Sequence, residues 1–308
     1  MSPWRLVADI GGSNVRLARS HDSGRLTHVV SHPTSRFASF LDALEVYLAA
    51  TGGSEGCRSA ALGAAGPVEG CSVTLTNKAA WKIAGLQVSA VLEGAPVVLV
   101  NDLEAVAAAL PHLGIDDTEP IGTPKPVIPA TRPMLALNIG TGLGAALATC
   151  HAGRWWTQPG EAGHMTLAGN SDLERQLIEP SATVESFLSG AGITRAYVRL
   201  NGVGDAHDAA EVLARAARDD SAASVLRAAT DILGRIAGDL VLATGAWGGV
   251  HLCGSVAEGL LAHADRARLR TAFENKGPMQ ERLQRTPMTV IRRENVALYG
   301  LAMLDIGA

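Results

Sequence analysis

The segment Ala8–Ala18, ADIGGSNVRLA, closes an apolar run, Leu6–Ile10, that carries one acid, Asp9, and follows it with Gly11, Gly12, Ser13 and Asn14. A strand that ends in a glycine-rich turn brings bare backbone amides against an anion, because glycine tolerates positive φ and has no side chain to obstruct approach. Asp9 does not suit direct phosphate contact, since like charges repel. It suits Mg²⁺ bridging phosphates, because this ion takes carboxylate and phosphate oxygens together with water. The chemistry expected is nucleotide phosphate with a metal ion; taken alone, the segment is equally explained by a plain hairpin with a Gly-Gly-Ser-Asn turn.

A second glycine-rich turn, Gly140-Thr141-Gly142-Leu143-Gly144, also follows an apolar run. It lacks the G-K-[ST] of a Walker A loop, and the residues after Gly144 continue as a β-like run where a dinucleotide fingerprint would open a helix. Asn101-Asp102 stands where a strand ends and a helix begins. Both residue types are favoured N-caps, and a carboxylate at the carboxyl end of a strand is also placed to accept a hydroxyl proton. With an ordinary pKa such an acid mainly orients the hydroxyl and takes its proton late in phosphoryl transfer. Glu161 and His164 lie three apart after Gln158-Pro159-Gly160, in what reads as a turn, so they do not form a helical zinc motif. They match either a polyhydroxylated ligand or an ordinary surface loop. Glu185 suits the first turn of a helix or a further hydroxyl acceptor, and Gly254-Ser255 suits close backbone approach to a flat base or a tight strand–helix turn.

These residues need elements to hold them. Leu6–Ile10, Val15–Ala18 and Leu26–Ser31 read as successive strands, and Phe37–Ala50 as a helix with apolar Phe40, Leu41, Leu44, Tyr47 and Leu48. Arg58–Ala64 and Val97–Val100 read as buried strands and Leu103–Leu110 as a helix stopped before Pro111. Residues 112–132, rich in Pro, Gly, Asp and Thr, read as a linker or long surface loop. A second unit then opens as the first did, with strands Met134–Ile139, Ala145–Cys150 and Arg154–Thr157. Helices follow at Thr183–Leu188, Gly192–Leu200, Ala209–Arg218 and Ser221–Thr244, then strands Gly249–Cys253 and Thr289–Ile291 and a closing helix, Val296–Leu304. Strands alternating with helices make an α/β fold, and the doubling places two phosphate-cradling hairpins across a cleft.

Composition narrows the classes. A chain of 308 residues, 47% hydrophobic and 18% charged, is long and apolar enough for about two folded domains. The net charge of −4 gives no electrostatic support for nucleic acid or an anionic membrane as partner. No apolar run reaches the length of a membrane span, and the first strand begins with no signal peptide ahead of it. The four cysteines are scattered without a C-x-x-C pair, which argues against a disulfide framework or zinc site and suits the cytoplasm.

Assembled in order, the motifs resemble the bacterial glucokinase family over nearly the full chain. ADIGGSNVRLA is similar to its first phosphate hairpin, LTNKAAW (75–81) to its sugar-side segment, VNDLEAVAAALP to its catalytic segment and IGTGLG to its second phosphate hairpin. PGEAGH is similar to its sugar loop, VESFLSGAG to the segment after it, and HLCGSVA to its adenosine-side turn. Asn138 stands where the family usually has the first glycine of the second hairpin, Ser13 where Thr is commoner, and Lys78-Ala79-Ala80 departs before Trp81. The change at Asn138 is similar to the related ROK sugar kinases, but their zinc-binding cysteine cluster has no counterpart between His164 and Cys253.

The resemblance implies a two-domain actin/hexokinase-like (ribonuclease H-like) ATPase fold, with a small domain from 1–111 plus 294–308 and a large one from 112–293. It implies ATP-dependent phosphorylation of glucose, with Asp102 as base on the 6-hydroxyl. Asn77, Asn101, Glu161, His164 and Glu185 would hold the sugar. Gly11, Gly12, Ser13, Asn14, Gly140, Thr141, Gly142 and Gly144 would cradle the ATP phosphates, Gly254 would face the adenosine and Asp9 would lie at Mg²⁺. The partner implied is a neutral hexose, the state a cytoplasmic homodimer. A kinase for mannose, fructose or an amino sugar is the alternative. A sugar-sensing regulator needs a DNA-binding module for which there is no room ahead of the first strand. Chaperone-type or filament ATPases of the superfamily lack a loop such as Glu161–His164.

Overall fold

The computed structural model describes residues 3–75, 81–122, 131–202 and 208–305. The chain divides into two compact units, Met1–Leu113 with Arg293–Ala308, and Gly114–Arg292. The first unit opens with β1 (Trp4–Ile10), β2 (Asn14–Ser20), β3 (Leu26–Pro33) and α1 (Phe40–Thr51). It continues with β4 (Cys57–Ala64), β5 (Val68–Glu69), β6 (Ser72–Thr74), β7 (Lys82–Ala84), α2 (Gly85–Val91), β8 (Val97–Asn101) and α3 (Asp102–Ala109). Its main sheet has the order β3-β2-β1-β4-β8, with an antiparallel meander on one side of β1 and parallel β4 and β8 on the other. Val68–Glu69, Ser72–Thr74 and Lys82–Ala84, given no element by sequence, form a small antiparallel sheet, β5-β6-β7, between β4 and β8 in the chain. Helix α1 begins at Phe40, three residues later than the periodicity predicts. Ser39 accepts a hydrogen bond from the Asp42 N–H and the Asp42 carboxylate accepts one from the Ser39 N–H, a capping box that ends extended chain there.

The period of two along β1 decides what faces what. Leu6, Ala8 and Ile10 enter one buried cluster with Phe40, Leu44 and Tyr47 of α1. Val7 enters another, with Ala61, Ala105 of α3 and Leu298 and Leu301, and Asp9, two residues on, points to that same side.

The second unit runs through β9 (Thr118–Pro120), β10 (Met134–Ile139), β11 (Leu143–His151), β12 (Arg154–Gly160), α4 (Asp172–Leu177), α5 (Val184–Phe187), α6 (Gly190–Asn201) and α7 (Ala209–Arg215). It ends with α8 (Asp220–Thr244), β13 (Gly249–Cys253), α9 (Ser255–His263), α10 (Arg266–Glu274), α11 (Gln280–Gln284) and β14 (Met288–Ile291). The chain then returns to the first unit as α12 (Val296–Met303). The sheet order is β12-β11-β10-β13-β14-β9, so its first five strands repeat the arrangement of the first unit. Helix α8 buries Val225, Ile232, Leu233, Ile236 and Val241 in this unit's core, starts at the Asp219 cap and stops at Gly245 with φ 69°.

Two expectations are corrected here. The strand expected to end at Thr157 runs on: β12 extends through Gly160, paired with Ala145, before the turn at 161–164, and an edge strand tolerates Pro159, which has no N–H to pair. The stretch 112–132 is not wholly loop. Ile115–Asp117 forms a 3₁₀ turn, and Thr118–Pro120 is an edge strand antiparallel to β14, with Arg292 N donating to Asp117 O at 2.7 Å. Residues 123–130 lie outside the described residues.

Helix α12 lies so close to α3 that a Cβ at Gly300 would meet the Ala105 carbonyl and stand 2.9 Å from Ala109 N. Substitution by Ala forces the two helices apart. Gly300→Ala is expected to lower stability by about 1–3 kcal/mol or more, the range for overpacking, read as a drop in the urea midpoint; an unchanged midpoint would mean the helices part freely.

Candidate functional site

The turn after β1 is held from below by β3 and the turn after it. Gly11 N donates to Asn14 O (2.9 Å), Thr34 N to Ser13 O (2.9 Å) and Thr34 Oγ1 to Gly12 O (2.6 Å). Carbonyls are thereby engaged, and the N–H groups of Gly12 and Ser13 have no partner among the described residues. Neither Gly11 nor Gly12 has positive φ, so glycine here supplies bare approach rather than left-handed backbone, a correction to the reading from composition.

Asp9 sits directly across the ladder from Arg16, whose Nη1 donates to Asp9 Oδ2 at 2.8 Å. Burial pushes the Asp9 carboxyl up, and the Arg16 guanidinium offsets only part of that rise. Of the two residues sequence offered as a cap, Asn101 takes that place. Asn101 is the cap: Leu103 N donates to its Oδ1 (2.9 Å), and Asn101 N donates to Glu104 Oε2 (3.1 Å). Asp102 is the first helical residue. Its Oδ1 accepts from Leu103 N at 3.0 Å, and its carboxyl is pushed up to about 6, first by burial and then by the charge of Asp9, against opposing hydrogen bonds from Leu103 N–H and the Asn101 side chain. An ordinary pKa was expected, and the correction follows from the two acids sharing one poorly solvated region.

In the second unit the hairpin is tighter than its five-residue motif. Only 140–142 lie in the turn, because β11 begins at Leu143 and Gly144 sits in the ladder opposite Asn138. Gly140 N donates to Gly142 O at 2.9 Å and Leu143 N to Glu185 Oε2 at 2.8 Å. Thr141 and Gly142 keep N–H groups with no partner among the described residues. Again neither Gly140 nor Gly142 has positive φ; a Cβ at position 142 would stand 2.6 Å from Glu185 Oε2.

Ala162–His164 is one 3₁₀ turn, and the Glu161 and His164 side chains stand out from it, 84% and 69% exposed, with His164 Nε2 3.9 Å from Glu161 Oε2. Gly254, at the head of α9, has φ 98°, and its Cα faces Asn138 Oδ1 and the Ile139 carbonyl with no room for a Cβ. Asn138, the departure from the family's glycine, accepts at Oδ1 from Cys253 Sγ at 3.7 Å, so its side chain ties the hairpin strand to that turn. Asn77 lies outside the described residues.

Three contributors were not assigned from sequence. Arg16 was legible in principle, since an antiparallel register joining Ile10 to Val15 sets it opposite Asp9. Glu104 completes a capping box whose N-cap and N3 residues are only three positions apart in sequence. The bond from Leu143 N to Glu185 joins residues 42 apart and has no local signal.

A strand order repeated in two units, a glycine-rich hairpin at the head of each and an acid of raised pKa at a strand end define a phosphotransferase of the actin/hexokinase-like fold. The Glucokinase family profile matches residues 6–306. The chain is 34% identical to the glucokinase of Nitrobacter hamburgensis, over 99% of this chain and 98% of that one, and 35% identical to the glucokinase of Aromatoleum aromaticum, over 97% and 93%. It superposes on the crystal structure of a glucokinase from an Antarctic psychrotroph with TM-score 0.85 and 28% identity, covering 98% of each chain. The chain belongs to the glucokinase family.

The raised Asp102 carboxyl has a consequence for stability. A folded-state value near 6 against an ordinary 3.8 means the folded protein binds the proton more tightly. Stability from this group is therefore full below about 3.8 and lost as pH rises through 6. Asp102→Asn keeps the acceptor for Leu103 N but cannot ionise. In chelator-containing buffer it is expected to be more stable than the parent at pH 7, by a margin that shrinks between pH 6 and pH 4. A margin independent of pH in urea titrations would contradict the shift.

Proposed function

We propose that the protein transfers the γ-phosphoryl group of ATP to the 6-hydroxyl of glucose, with Asp102 as the base. The observation that carries the role of Asp102 is its place at the carboxyl end of β8, next to the Asn101 cap, with its carboxyl raised to about 6. At neutral pH such a group is mostly ionised yet more basic than a free aspartate, so it both orients a hydroxyl and accepts its proton as transfer proceeds. The unpartnered N–H groups of Gly12, Ser13, Thr141 and Gly142 supply neutral donors for phosphate oxygens, which anionic side chains would repel.

Glu161 and His164 are exposed and unburdened by structural bonds in the way Asn101 is, and they serve as acceptor and donor for sugar hydroxyls. Asn101 has its Oδ1 committed to the helix cap, so its amide N–H₂ is the end it offers a sugar. Mg²⁺ fits the acids present, since it takes one or two carboxylates with phosphate oxygens and water. Asp9 would hold it, and when bound the ion neutralises charge on the phosphates. Among the described residues no helix is long and apolar enough to cross a membrane, and all four cysteines are free. The free thiols support the cytoplasm as the compartment, and the family resemblance supports a homodimer.

The test is ATP turnover, coupled to ADP release, over a panel of neutral hexoses. Glucose is expected to give the highest kcat/KM, and no turnover with any hexose would sink the proposal. Asp102→Ala is expected to lose about 10²–10⁴ in kcat, the range for a positioned base. The acid limb of kcat/KM is expected near pH 6; near-parental turnover in the variant would leave Asp102 a helix residue without a chemical role.

A further inference from the structure

Glu185 lies in α5, a helix of four residues. The cap of that helix is complete without it: Ser186 N donates to Thr183 Oγ1 (3.2 Å), and Thr183 N donates to Ser186 Oγ (3.0 Å). The Glu185 carboxylate is turned elsewhere. Its Oε2 accepts from Leu143 N at 2.8 Å, the first residue beyond the turn of the second hairpin. It is walled on two sides by glycines: a Cβ at position 142 would stand 2.6 Å from Oε2, and one at position 163 would stand 3.3 Å from both Oε2 and the Glu185 Cβ. Gly142 belongs to the hairpin turn, and Gly163 lies between Glu161 and His164.

The same segment grips the hairpin again five residues on. Gly190 N, at the start of α6, donates to Gly140 O at 2.9 Å. Gly140 N and Leu143 N are thus spent on fixing the turn, while Thr141 and Gly142 keep theirs for a ligand.

We propose that Glu185 is a positioning residue that locks the second hairpin through Oε2 while its other oxygen serves the sugar, so that one carboxylate couples nucleotide and sugar binding. This rests on the reading of that hairpin as phosphate-binding and of the 161–164 loop as sugar-binding. The coupling is physical: a carboxylate pulled toward a sugar hydroxyl re-aims its bond to Leu143, and by linkage each ligand then alters the affinity of the other by the same factor.

The experiment is calorimetric titration of the whole protein with a non-hydrolysable ATP analogue and Mg²⁺, first without and then with glucose. Glu185→Ala removes both functions and is expected to weaken the analogue about tenfold even without sugar, the loss for a hydrogen bond to a charged acceptor. Glu185→Gln keeps an amide oxygen for Leu143 N. It is expected to hold analogue affinity within about threefold of the parent while the KM for glucose stays at least about tenfold raised, the loss of a charged acceptor. The dependence of analogue affinity on glucose is expected to vanish in both variants.

Unchanged analogue affinity in Glu185→Ala, or equal losses in Ala and Gln, would overturn the inference. Should the Ala variant fail to fold by circular dichroism, amide exchange at Leu143 in Glu185→Asp and Glu185→Gln decides instead. Protection kept with Gln and lost with Asp supports the lock, and protection kept in both refutes it. The parent's turnover of glucose separates the two readings: its absence counts against the activity, while the sugar-free titration still reports on the hairpin.

Discussion

Two carboxylates held in one poorly solvated region of the first unit set the terms for everything around them. Asp9 is the penultimate residue of β1 and Asp102 follows β8, with β4 between those strands and parallel to both. Parallel strands bring their carboxyl ends to the same edge, so acids far apart in sequence arrive together. Leaving both charged is unfavourable, and the chain offsets this unequally. Asp9 has a guanidinium at 2.8 Å, whereas Asp102 has hydrogen bonds from Leu103 N–H and the Asn101 side chain, and burial pushes both carboxyls up. The two acids thus sit in different company, one against a cation and one at a helix start among neutral donors.

The surrounding structure reads as support for that asymmetry. The alternation along β1 sends Leu6, Ala8 and Ile10 into the core beside α1, and so turns Val7 and Asp9 toward α3. Gly300 lets α12 lie on the α3 backbone, which seats the helix whose first residue is Asp102. Asn101 and Glu104 form the capping box at this helix end, and Asp102 shares only the Leu103 N–H with it.

The second unit uses the same strand order for a different end. Its hairpin carries no acid equivalent to Asp9; Asn138 stands in the strand and ties to the β13 turn through Cys253. Rigidity comes from the segment 185–190, which grips the turn at Leu143 and Gly140. Glycine matters here for lack of volume, because Glu185 occupies the space a side chain at 142 would need, and not for positive φ. The amides left with no partner among the described residues are those of Thr141 and Gly142 at the turn's tip.

How far the chain was legible follows from the range of each interaction. The strands β1, β2, β10 and β13 and the long helix α8 were readable because apolar periodicity and flanking glycines act locally. The doubled hairpins and the residues Asp9, Asp102, Glu161, His164 and Glu185 stood out by type and order. Short elements such as β5–β7 and α9–α11 escaped, since few residues carry too little periodicity. The amino-acid sequence by itself determined the α/β architecture and the family, and nominated the acids for a site, because these rest on pattern and motif order. Only the tertiary structure decided which of Asn101 and Asp102 caps the helix, why Asp102 titrates near 6, and that Glu185 holds the second hairpin. Desolvation, the charge of a residue 93 positions away and a hydrogen bond spanning 42 positions are properties of chain segments brought together by folding, and no local window contains them.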